Sequence, residues 1–489
     1  MELKLRIDRN SRIPIQKQIR DRIEQLIYEG ILAPGKKLPP SRRLAASLGV
    51  NRSTIIAVYE DLIADDLLIA RVGSGTMVAP MQSHCDRITG TQTINWSDIL
   101  SLKPRFEPSS LIRDTLAICA QPGMIMFANG VPSPRLYPRK EFREIFKKEM
   151  LSKRSQFFDL MPSGGYPPLL EQLTGEAVSA ADSAKIDEIM ITSGSIQGLT
   201  LISNTLLEPG DLVLVENPTF FGALQIFNAV KARLLLIPTD KNGLKIDFLE
   251  QILVRQQPKL LYTIPSFQNP SGYVLSLSRR KQLLALAHRH SLPIVEDDPY
   301  SRIYFQDPPP PSLKFLDRFN HVIHISTFSK LLFTGLRVGW LQAPRQVIER
   351  LSRTKLLYDL HTNTPGQIAI QRYLSRGLLE DHLQLIRSAY AEKMGLMDEA
   401  LRKHCSSFIE WRQPAGGYYF WCRLPQGLSS RELMLELFRE GVAILPGEAF
   451  YPGNEGRSWF RLNFTFPDRE QIVRGIELIG KVLHRLAGK

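Results

Sequence analysis

Lys330 and Arg337 stand seven residues apart in the segment S-T-F-S-K-L-L-F-T-G-L-R, which begins at Ser326. A lysine amine forms a Schiff base with a carbonyl compound, and an arginine guanidinium clamps a phosphate through two hydrogen bonds. A small molecule that carries both an aldehyde and a phosphate would need both groups. Thr327 adds a hydroxyl to the same segment. A lysine near a polar strand end is unremarkable by itself, so the pair alone does not decide the function.

Two earlier motifs could contact the phosphate and the ring of such a molecule. The string T-S-G-S-I-Q-G places small residues between a strand and a helix, where backbone N–H groups can bind an anion. This makes Ser195 and Gln197 candidate phosphate contacts, although many such turns contain glycine and serine. Phe220 ends the string E-N-P-T-F and could stack on a ligand ring or simply belong to the core.

Three further motifs could orient the ligand. Asn269, in N-P-S-G, could donate to a phenolate oxygen or only form a turn. Asp297 and Tyr300 lie in E-D-D-P-Y, where consecutive carboxylates at a buried strand end are costly without a partner. A protonated ring nitrogen would be such a partner, whereas a solvated loop is the alternative. Arg461 lies on the alternating string W-F-R-L-N-F, a predicted strand, and could hold a carboxylate or face solvent.

Short apolar runs precede most of these motifs and alternate with helical stretches. This alternation predicts an α/β fold with a mainly parallel sheet covered by helices. Ligands of such sheets bind beyond the carboxyl ends of the strands, which is where the motifs fall. The runs are Ile189–Thr192, Leu212–Val215, Leu234–Ile237, Leu260–Ile264, Ile294–Glu296 and Val322–Ser326.

The N-terminal 80 residues have a different pattern, which predicts three helices and a hairpin. An amphipathic helix carries apolar residues from Ile15 to Ile27 and ends at Gly30. Ser41 is a candidate N-cap of a second helix that runs through Leu48. Asn51 is a candidate N-cap of the third helix, and residues 67–78 form a hairpin around Gly73.

Helix, short turn, helix is the helix-turn-helix arrangement, whose second helix enters the major groove of DNA with its N-terminal residues at the base edges. Arginine pairs with guanine and asparagine with adenine, so the types of these residues suit DNA readout. Three helices and a hairpin are also common in proteins that bind no DNA, and periodicity alone leaves both possibilities open. The candidate contacts are Arg42, Arg43, Asn51, Arg52, Ser53, Thr54 and, in the wing, Gly73.

The N-terminal module resembles the winged helix of the GntR family over roughly residues 12–78. The resemblance rests on the strings G-I-L-A-P-G-K-K-L-P-P-S-R-R-L-A-A-S-L-G-V-N-R-S-T-I and G-S-G-T-M-V. It implies that Arg42, Arg52, Ser53 and Gly73 contact DNA. Pro40 is a small departure, because many members have serine there.

The stretch from about residue 110 to 489 resembles class I aminotransferases of pyridoxal-phosphate (PLP) fold type I, with a large domain and a smaller α+β domain. A GntR-type head on such a body is the arrangement of the MocR subfamily of bacterial regulators. The resemblance implies that Lys330 holds PLP as a Schiff base, that Asp297 pairs with the pyridine nitrogen, and that Arg461 binds an amino-acid carboxylate. Tyr300 and Asn269 would hold the ring hydroxyl oxygen and Phe220 would stack on the ring, with the phosphate surrounded by Ser195, Gln197, Thr327 and Arg337.

Two positions depart from the aminotransferase pattern. Leu160 stands where the family often has a tyrosine that reaches the phosphate of the partner subunit, and leucine cannot donate a hydrogen bond there. Thr334 replaces the proline usually found before Gly335-Leu336-Arg337. Neither change removes a group that Schiff-base chemistry requires.

Composition limits the class of protein. The net charge of +13 favours a polyanionic partner, although residues 1–80 carry only +4 of it. The cysteines at 85, 119, 405 and 422 have neither zinc-site nor disulfide spacing, which indicates a reducing compartment and no metal site. With no signal-peptide core and no membrane-length apolar run in the sequence, we expect a soluble cytoplasmic protein.

The sequence therefore predicts a winged helix-turn-helix domain at 1–80, a linker at 81–108 and an aminotransferase-like domain at 109–489. We expect a homodimeric regulator that binds a DNA operator and senses an amine or amino acid through PLP. Two alternatives remain open at this point. The body could turn over as an aminotransferase with the head attached, or PLP itself could be the sensed ligand.

Overall fold

The computed structural model describes residues 5, 7–9, 11, 13–71, 75–79, 121–175, 185–453 and 455–488. The chain divides into two compact units, Met1–Leu102 and Lys103–Lys489. We call them the head and the body. The predicted linker at 81–108 and the predicted wing residue Gly73 lie outside the described residues and stay predictions.

The head consists of three helices followed by a two-stranded hairpin, as predicted. The helices are α1 (Ile15–Tyr28), α2 (Ser41–Leu48) and α3 (Arg52–Ala64). Strands β1 (Leu68–Arg71) and β2 (Gly75–Val78) pair antiparallel.

The apolar stripes of the three helices meet in one core. Ile19 and Ile23 of α1 pack with Ile55, Val58 and Leu62 of α3, and all five are buried. The 3.6-residue spacing places these side chains on one face of each helix, which explains why the pattern is visible in the sequence.

One predicted helix cap is wrong. Pro40, not Ser41, is the N-cap residue of α2, and Ser41 is already the first helical residue with no capping bond from a side chain. Proline fits this position because its backbone is held extended and needs no N–H partner. Asn51 does occupy the N-cap of α3, but its side chain makes no capping bond and is exposed.

In the body, eight described strands form the main sheet in the order β4-β11-β10-β9-β8-β5-β6-β7. All six apolar runs identified in the sequence are strands of this sheet. They are β4 (Ile189–Thr192), β5 (Leu212–Asn217), β6 (Arg233–Asp240), β8 (Leu260–Thr263), β9 (Ile294–Asp297) and β10 (Val322–Thr327), joined by β7 (Gly243–Leu244) and β11 (Gly339–Gln342).

The centre of the sheet is parallel, from β10 through β9, β8 and β5 to β6. The sheet as a whole is mixed, because β11 runs antiparallel between β10 and β4. Sequence patterning does not identify β11, which directly follows the phosphate motif. Its four residues, G-W-L-Q, are buried but include only two large apolar side chains, so they do not form a continuous apolar run like those that identified the other buried strands.

A smaller antiparallel sheet carries Arg461. It has the order β12-β13-β16-β15, with β12 (Glu410–Trp411), β13 (Tyr419–Arg423), β15 (Leu445–Pro446) and β16 (Trp459–Asn463). A separate parallel pair joins β3 (Ile125–Met126) to β14 (Val442–Ala443). The predicted strand around Arg461 and the predicted smaller α+β part are therefore confirmed.

Helices cover both sheets. The described helices of the body are α4 (Arg139–Leu151), α5 (Pro167–Leu173), α6 (Ser195–Leu206), α7 (Phe221–Ala229), α8 (Ile246–Arg255), α9 (Leu277–Arg289), α10 (Leu313–Leu316), α11 (Phe328–Leu331), α12 (Arg345–Leu356), α13 (Thr364–Ser375), α14 (Leu378–Cys405), α15 (Ser430–Arg439) and α16 (Arg469–Ala487). Among the residues described, none of the helices combines the length and the apolar character needed to span a bilayer.

Two neighbouring isoleucines of α3 test the head core. Ile55 is completely buried, whereas Ile56 is 37% exposed. We expect Ile55→Ala to destabilise the head by about 2–4 kcal/mol, because it leaves a cavity, and Ile56→Ala to cost less than about 1 kcal/mol. Hydrogen exchange of the α1–α3 amides measures both. Equal effects of the two substitutions would contradict the assigned core.

Candidate functional site

A cavity of about 380 Å³ opens at the carboxyl ends of the central strands. Lys330 and Arg337 line it, and so does Arg461 from the smaller sheet. Nine of the ten residues that the sequence motifs proposed for ligand binding in the body lie on its wall. They are Ser195, Phe220, Asn269, Asp297, Tyr300, Thr327, Lys330, Arg337 and Arg461.

Lys330 follows β10 on the single turn of α11. Its amine donates a hydrogen bond to the carbonyl of Gly130 on the opposite wall. Burial lowers the pKa of the Lys330 amine, the nearby Tyr419 opposes this shift, and the cation of Arg461 adds to it. A lowered pKa increases the neutral fraction of the amine, which is the form that attacks a carbonyl carbon.

Asp297 is the last residue of β9 and is buried. Tyr262, on the adjacent strand β8, donates a hydrogen bond of 2.7 Å to its Oδ2. The other oxygen, Oδ1, is buried without a partner among the described residues. Burial raises the pKa of Asp297 to about 6, against the opposing bond from Tyr262. An ionised carboxylate here requires a cationic partner in the cavity, which a protonated ring nitrogen supplies.

The phosphate motif forms a cradle at the start of α6. Gly194 is its N-cap, with a positive φ of 89°. A Cβ on Gly194 would lie 2.9 Å from Nη2 of Arg337, so only glycine allows the guanidinium this close. Arg337 is itself held by a 2.8 Å bond from its Nη2 to the carbonyl of Ser193. Free N–H groups at the helix start and a fixed guanidinium together suit a phosphate.

Gln197 is the one proposed body residue that does not line the cavity. Its Oε1 accepts from the backbone N–H of Ser193 at 2.7 Å, and its Nε2 donates to Asp359 at 2.7 Å. Successive residues of a helix point to different sides, so Ser195 and Ile196 line the cavity while Gln197 points away from it and holds the backbone of Ser193. Asp359 is also paired with the buried amine of Lys355.

Arg461 and Asn269 form a bonded pair in the wall. Nη1 of Arg461 donates to Oδ1 of Asn269 at 2.8 Å, and its Nη2 donates to the carbonyl of Ala128 at 2.7 Å. With its oxygen used in this way, Asn269 presents its amide NH2 to a ligand. Arg461 is only 2% exposed, so the surface alternative for this arginine is wrong.

The remaining wall residues have clear local roles. Phe220 is the N-cap of α7, and its ring lies 5.0 Å from that of Phe221, with both rings on the cavity wall. Oγ1 of Thr327 accepts from the backbone N–H of Ser329 and so caps α11. Thr334, one of the two departures from the family pattern, also lines the cavity. Leu160, the other, is 76% exposed.

In the head, the six predicted DNA contacts that the structure describes lie between residues 42 and 54. Arg42, Arg43, Asn51, Arg52 and Ser53 lie at the surface, and Thr54 is half-buried. Among the described residues, the three arginines make no ion pair, so their charges are available to phosphates or bases.

Sequence reasoning missed two residues of the cavity wall, Gly130 and Tyr419, and also Tyr262, which bonds to Asp297. Gly130 comes from a stretch that no motif covers. Tyr262 lies inside an apolar strand, where it reads as a core residue. Tyr419 is the second tyrosine after the glycines of the string A-G-G-Y-Y, and no role was predicted for its side chain. The pairing of its strand with the strand of Arg461 brings Tyr419 to the cavity, and such pairing is not visible in one sequence.

The donor set of the cavity fits PLP. The buried oxygen of Asp297, which has no partner among the described residues, suits a ring cation, the amine of Lys330 suits an aldehyde, and the cradle at Arg337 suits a phosphate. A helix-turn-helix head and a cavity of this kind define a regulator class that combines DNA binding with an aminotransferase fold.

Comparison with known proteins supports this class. Residues 136–479 match the family described as "Aminotransferase class I and II", and residues 15–78 match "Bacterial regulatory proteins, gntR family". The chain is 32% identical to the uncharacterized HTH-type transcriptional regulator YisV of Bacillus subtilis, over 98% of each protein. It is 26% identical to the probable rhizopine catabolism regulatory protein MocR of Rhizobium meliloti, over 90% of this chain and 88% of that protein.

A solved structure matches the body. LysN, the α-aminoadipate aminotransferase of Thermus thermophilus, was crystallised with N-(5'-phosphopyridoxyl)-L-leucine, is 34% identical and aligns with a TM-score of 0.75 over 81% of this chain and 100% of its own. The chain belongs to the MocR-type transcriptional regulators, in which a gntR-family head is joined to a class I/II aminotransferase domain.

Asp297→Asn tests the buried carboxylate. In PLP-free protein, a folded pKa of about 6 against an ordinary 3.8 means that stability is lost as the pH rises from about 4 to 6. The shift corresponds to about 3 kcal/mol. We therefore expect the PLP-free variant to be more stable than the wild type at pH 8, and the difference to disappear near pH 4, as measured by denaturant unfolding.

The same substitution should weaken PLP binding at least tenfold, because an asparagine at this position lacks the charge that pairs with the ring nitrogen. Asp298→Asn is the matched control, since the adjacent carboxylate is buried but does not line the cavity. Equal loss of PLP in the two variants would contradict the role of Asp297.

Proposed function

We propose that this regulator binds PLP at Lys330 and senses an amine or amino acid through the bound cofactor. One observation carries the proposal. The cavity brings together an amine of lowered pKa, a buried carboxylate oxygen without a described partner, a phosphate cradle and a buried arginine, in a chain whose head is a gntR-family domain.

PLP supplies an electrophilic aldehyde carbon and a ring that withdraws electrons while its nitrogen is protonated. The chain's own residues prepare the site for it. Lys330 provides the nucleophilic amine, Asp297 keeps the ring nitrogen protonated, and Tyr300 with Asn269 holds the ring hydroxyl oxygen. Phe220 covers one ring face, and Ser195, Thr327 and Arg337 hold the phosphate, with Gln197 positioning Ser193 behind it.

Arg461 is the proposed binding site for the carboxylate of the effector. Without a ligand, it donates to Asn269 and to the carbonyl of Ala128. A carboxylate gives a stronger, bidentate partner than a neutral carbonyl, so its arrival would compete for the bond to Ala128. Ala128 belongs to the first described segment of the body after the predicted linker. Release of this carbonyl is a local change that could bias the heads, by no more than the effector's differential affinity for the two states.

The head is proposed to read double-stranded DNA through α3. Arg52 and Asn51, with Ser53 and Thr54, would face base edges in the major groove, while Arg42, Arg43 and Gly73 would contact the backbone. Since such a regulator acts on the chromosome, we place it in the bacterial cytoplasm.

A homodimer is the proposed assembly. The segment after α12 exposes apolar side chains that a lone chain would leave in water, with Leu357 88% and Leu360 59% exposed. Leu360 also has a positive φ of 56°, and its neighbour Asp359 is fixed by Lys355 and Gln197. A rigid, exposed apolar segment suits a permanent contact with a second copy. Two heads would then read two half-sites whose spacing follows multiples of about 34 Å.

A catalytic function is the second candidate. The groups that transamination needs, Lys330, Asp297 and Arg461, are all present in the cavity. A third possibility is that PLP itself is the sensed ligand. Addition of single L-amino acids to the PLP-loaded protein separates these functions. Release of a 2-oxo acid favours the enzyme, a stable spectral change without release favours the sensor, and a DNA affinity that depends on PLP alone favours the third.

Lys330→Ala and Arg52→Ala should separate the two functions of the chain. Operator DNA would first be selected from a random duplex library with the wild-type protein. We expect Lys330→Ala to keep its DNA affinity and to lose any response to amino acid, because only the amine attachment is removed. Arg52→Ala should lose about 10- to 100-fold in DNA affinity and still bind PLP. Fluorescence anisotropy measures the first quantity and visible absorption the second.

The control for the head is Arg22→Ala, since Arg22 is an exposed arginine on α1 that bonds locally to Gln25. Its DNA affinity should change by less than about threefold, because a surface arginine away from the recognition helix makes no base contact. A normal amino-acid response in Lys330→Ala would refute the proposed sensing mechanism.

Leu357→Asp combined with Leu360→Asp should convert the dimer to a monomer, because burial of two carboxylates in an apolar contact is costly. Sedimentation velocity measures the change. Val254→Asp is the control, since Val254 on α8 is 75% exposed and lies outside this segment. A dimer that survives the double substitution would place the interface elsewhere.

A further inference from the structure

We propose that Tyr419 is a positioning residue of the cofactor site with two separable roles, its ring holding Arg461 and its hydroxyl holding Tyr300. The inference rests on the proposed binding of PLP at Lys330. Tyr419 lies on β13, lines the cavity and is buried. No role was predicted for this tyrosine from the sequence.

The ring of Tyr419 supports the guanidinium of Arg461. Tyr419 of β13 pairs with Asn463 of β16, and Arg461 lies two residues before Asn463 on the same strand. Side chains two residues apart share a face of the sheet, so the two meet on the cavity side. Cζ of Arg461 lies 4.0 Å from the centre of the Tyr419 ring, a distance typical of a cation–π contact.

This contact fixes the plane of the guanidinium. The hydrogen bonds to Asn269 and Ala128 hold two of its nitrogens, and the ring covers its face. Bidentate pairing requires a carboxylate to lie in the plane of the guanidinium. A carboxylate therefore binds Arg461 more readily when the orientation of that plane is already fixed. The ring therefore contributes to carboxylate binding without contacting the carboxylate.

The hydroxyl of Tyr419 has different neighbours. It lies 3.0 Å from the hydroxyl of Tyr300, which is also buried. It also packs against Gly130, where a Cβ would come within 2.7 Å of it. Gly130 is the residue whose carbonyl accepts from Lys330. The hydroxyl thus lies between the residue proposed to hold the ring oxygen of PLP and the segment that receives the lysine amine.

The direction of the bond between the two tyrosines determines what it does. If Tyr419 donates to Tyr300, the proton of Tyr300 is free for the ring oxygen of the cofactor. A buried hydroxyl that already accepts one hydrogen bond is a stronger donor in the next, because such chains polarise one another. We assign the donor role to Tyr419.

Tyr419→Phe tests the hydroxyl. A stronger bond to the ring oxygen stabilises its anionic form, so its loss makes proton release from the bound cofactor harder. In the PLP-loaded full chain, the midpoint pH of the visible absorption band should therefore rise by about 0.5–1 unit. Tyr390→Phe is the control, since it removes an equally buried hydroxyl that bonds outside the cavity, to the backbone N–H of Ser133. An unchanged or lowered midpoint in Tyr419→Phe would overturn the hydroxyl role.

Tyr419→Leu tests the ring. Two probes, N-(5'-phosphopyridoxyl)-L-leucine and pyridoxamine phosphate, differ by an amino-acid portion that carries a carboxylate. The ratio of their dissociation constants on PLP-free protein therefore reports the contribution of Arg461. We expect Tyr419→Phe to keep the wild-type ratio and Tyr419→Leu to reduce it about 3- to 30-fold. Equal ratios in the two variants would overturn the ring role.

These measurements distinguish failure of the inference from failure of the proposed function. If neither probe binds the wild type, PLP binding at this cavity is refuted. If both probes bind and the wild type shows no preference for the leucine adduct, Arg461 does not hold the carboxylate, and the ring role falls with it. If the wild type prefers the leucine adduct and the Tyr419 variants keep the same preference, only the ring role of Tyr419 is wrong.

Discussion

The buried carboxylate of Asp297 is the constraint on which the rest of the site depends. Its strand ends inside the body, far enough from water for its pKa to rise to about 6. One oxygen is satisfied by Tyr262, and the other is buried without a partner among the described residues, in a residue that lines the cavity. An ionised group in this position is unfavourable until a cation arrives. A ligand that places a positive charge next to this carboxylate therefore gains binding energy from the ion pair.

The other groups that line the cavity come from different elements of the body. Lys330 reaches the cavity from the end of β10, and Arg337 is fixed against Gly194, which only glycine could allow. The arginine at 461 comes from a second sheet and is covered by the ring of Tyr419. Because these groups lie on separate rigid elements, the distances between them are set by the packing of the two sheets and not by loop conformation.

A regulator and an enzyme can share this architecture because binding and turnover use the same groups. What differs is how the energy of ligand binding is used. In an aminotransferase it promotes the reaction, whereas in a regulator part of it must shift the equilibrium between two arrangements of the chain. In the proposed function, the bond from Arg461 to the carbonyl of Ala128 is such a link, since an arriving carboxylate would compete for the same guanidinium.

The sequence by itself determined the local elements and most of the site. Apolar runs identified six strands, the helical stripes identified α1 to α3, and nine body residues of the cavity carried motifs. These features could be predicted because the periodicity of a strand or helix, and the turn that follows a strand, depend on residues that are consecutive in the chain. Tertiary structure decided the rest. It placed β11 in the sheet, turned Gln197 away from the cavity, put Pro40 at the cap of α2, buried Arg461 and set Tyr262 and Tyr419 beside the site. Most of these depend on which strand or helix lies next to which, a relation between residues distant in the chain that one sequence does not record.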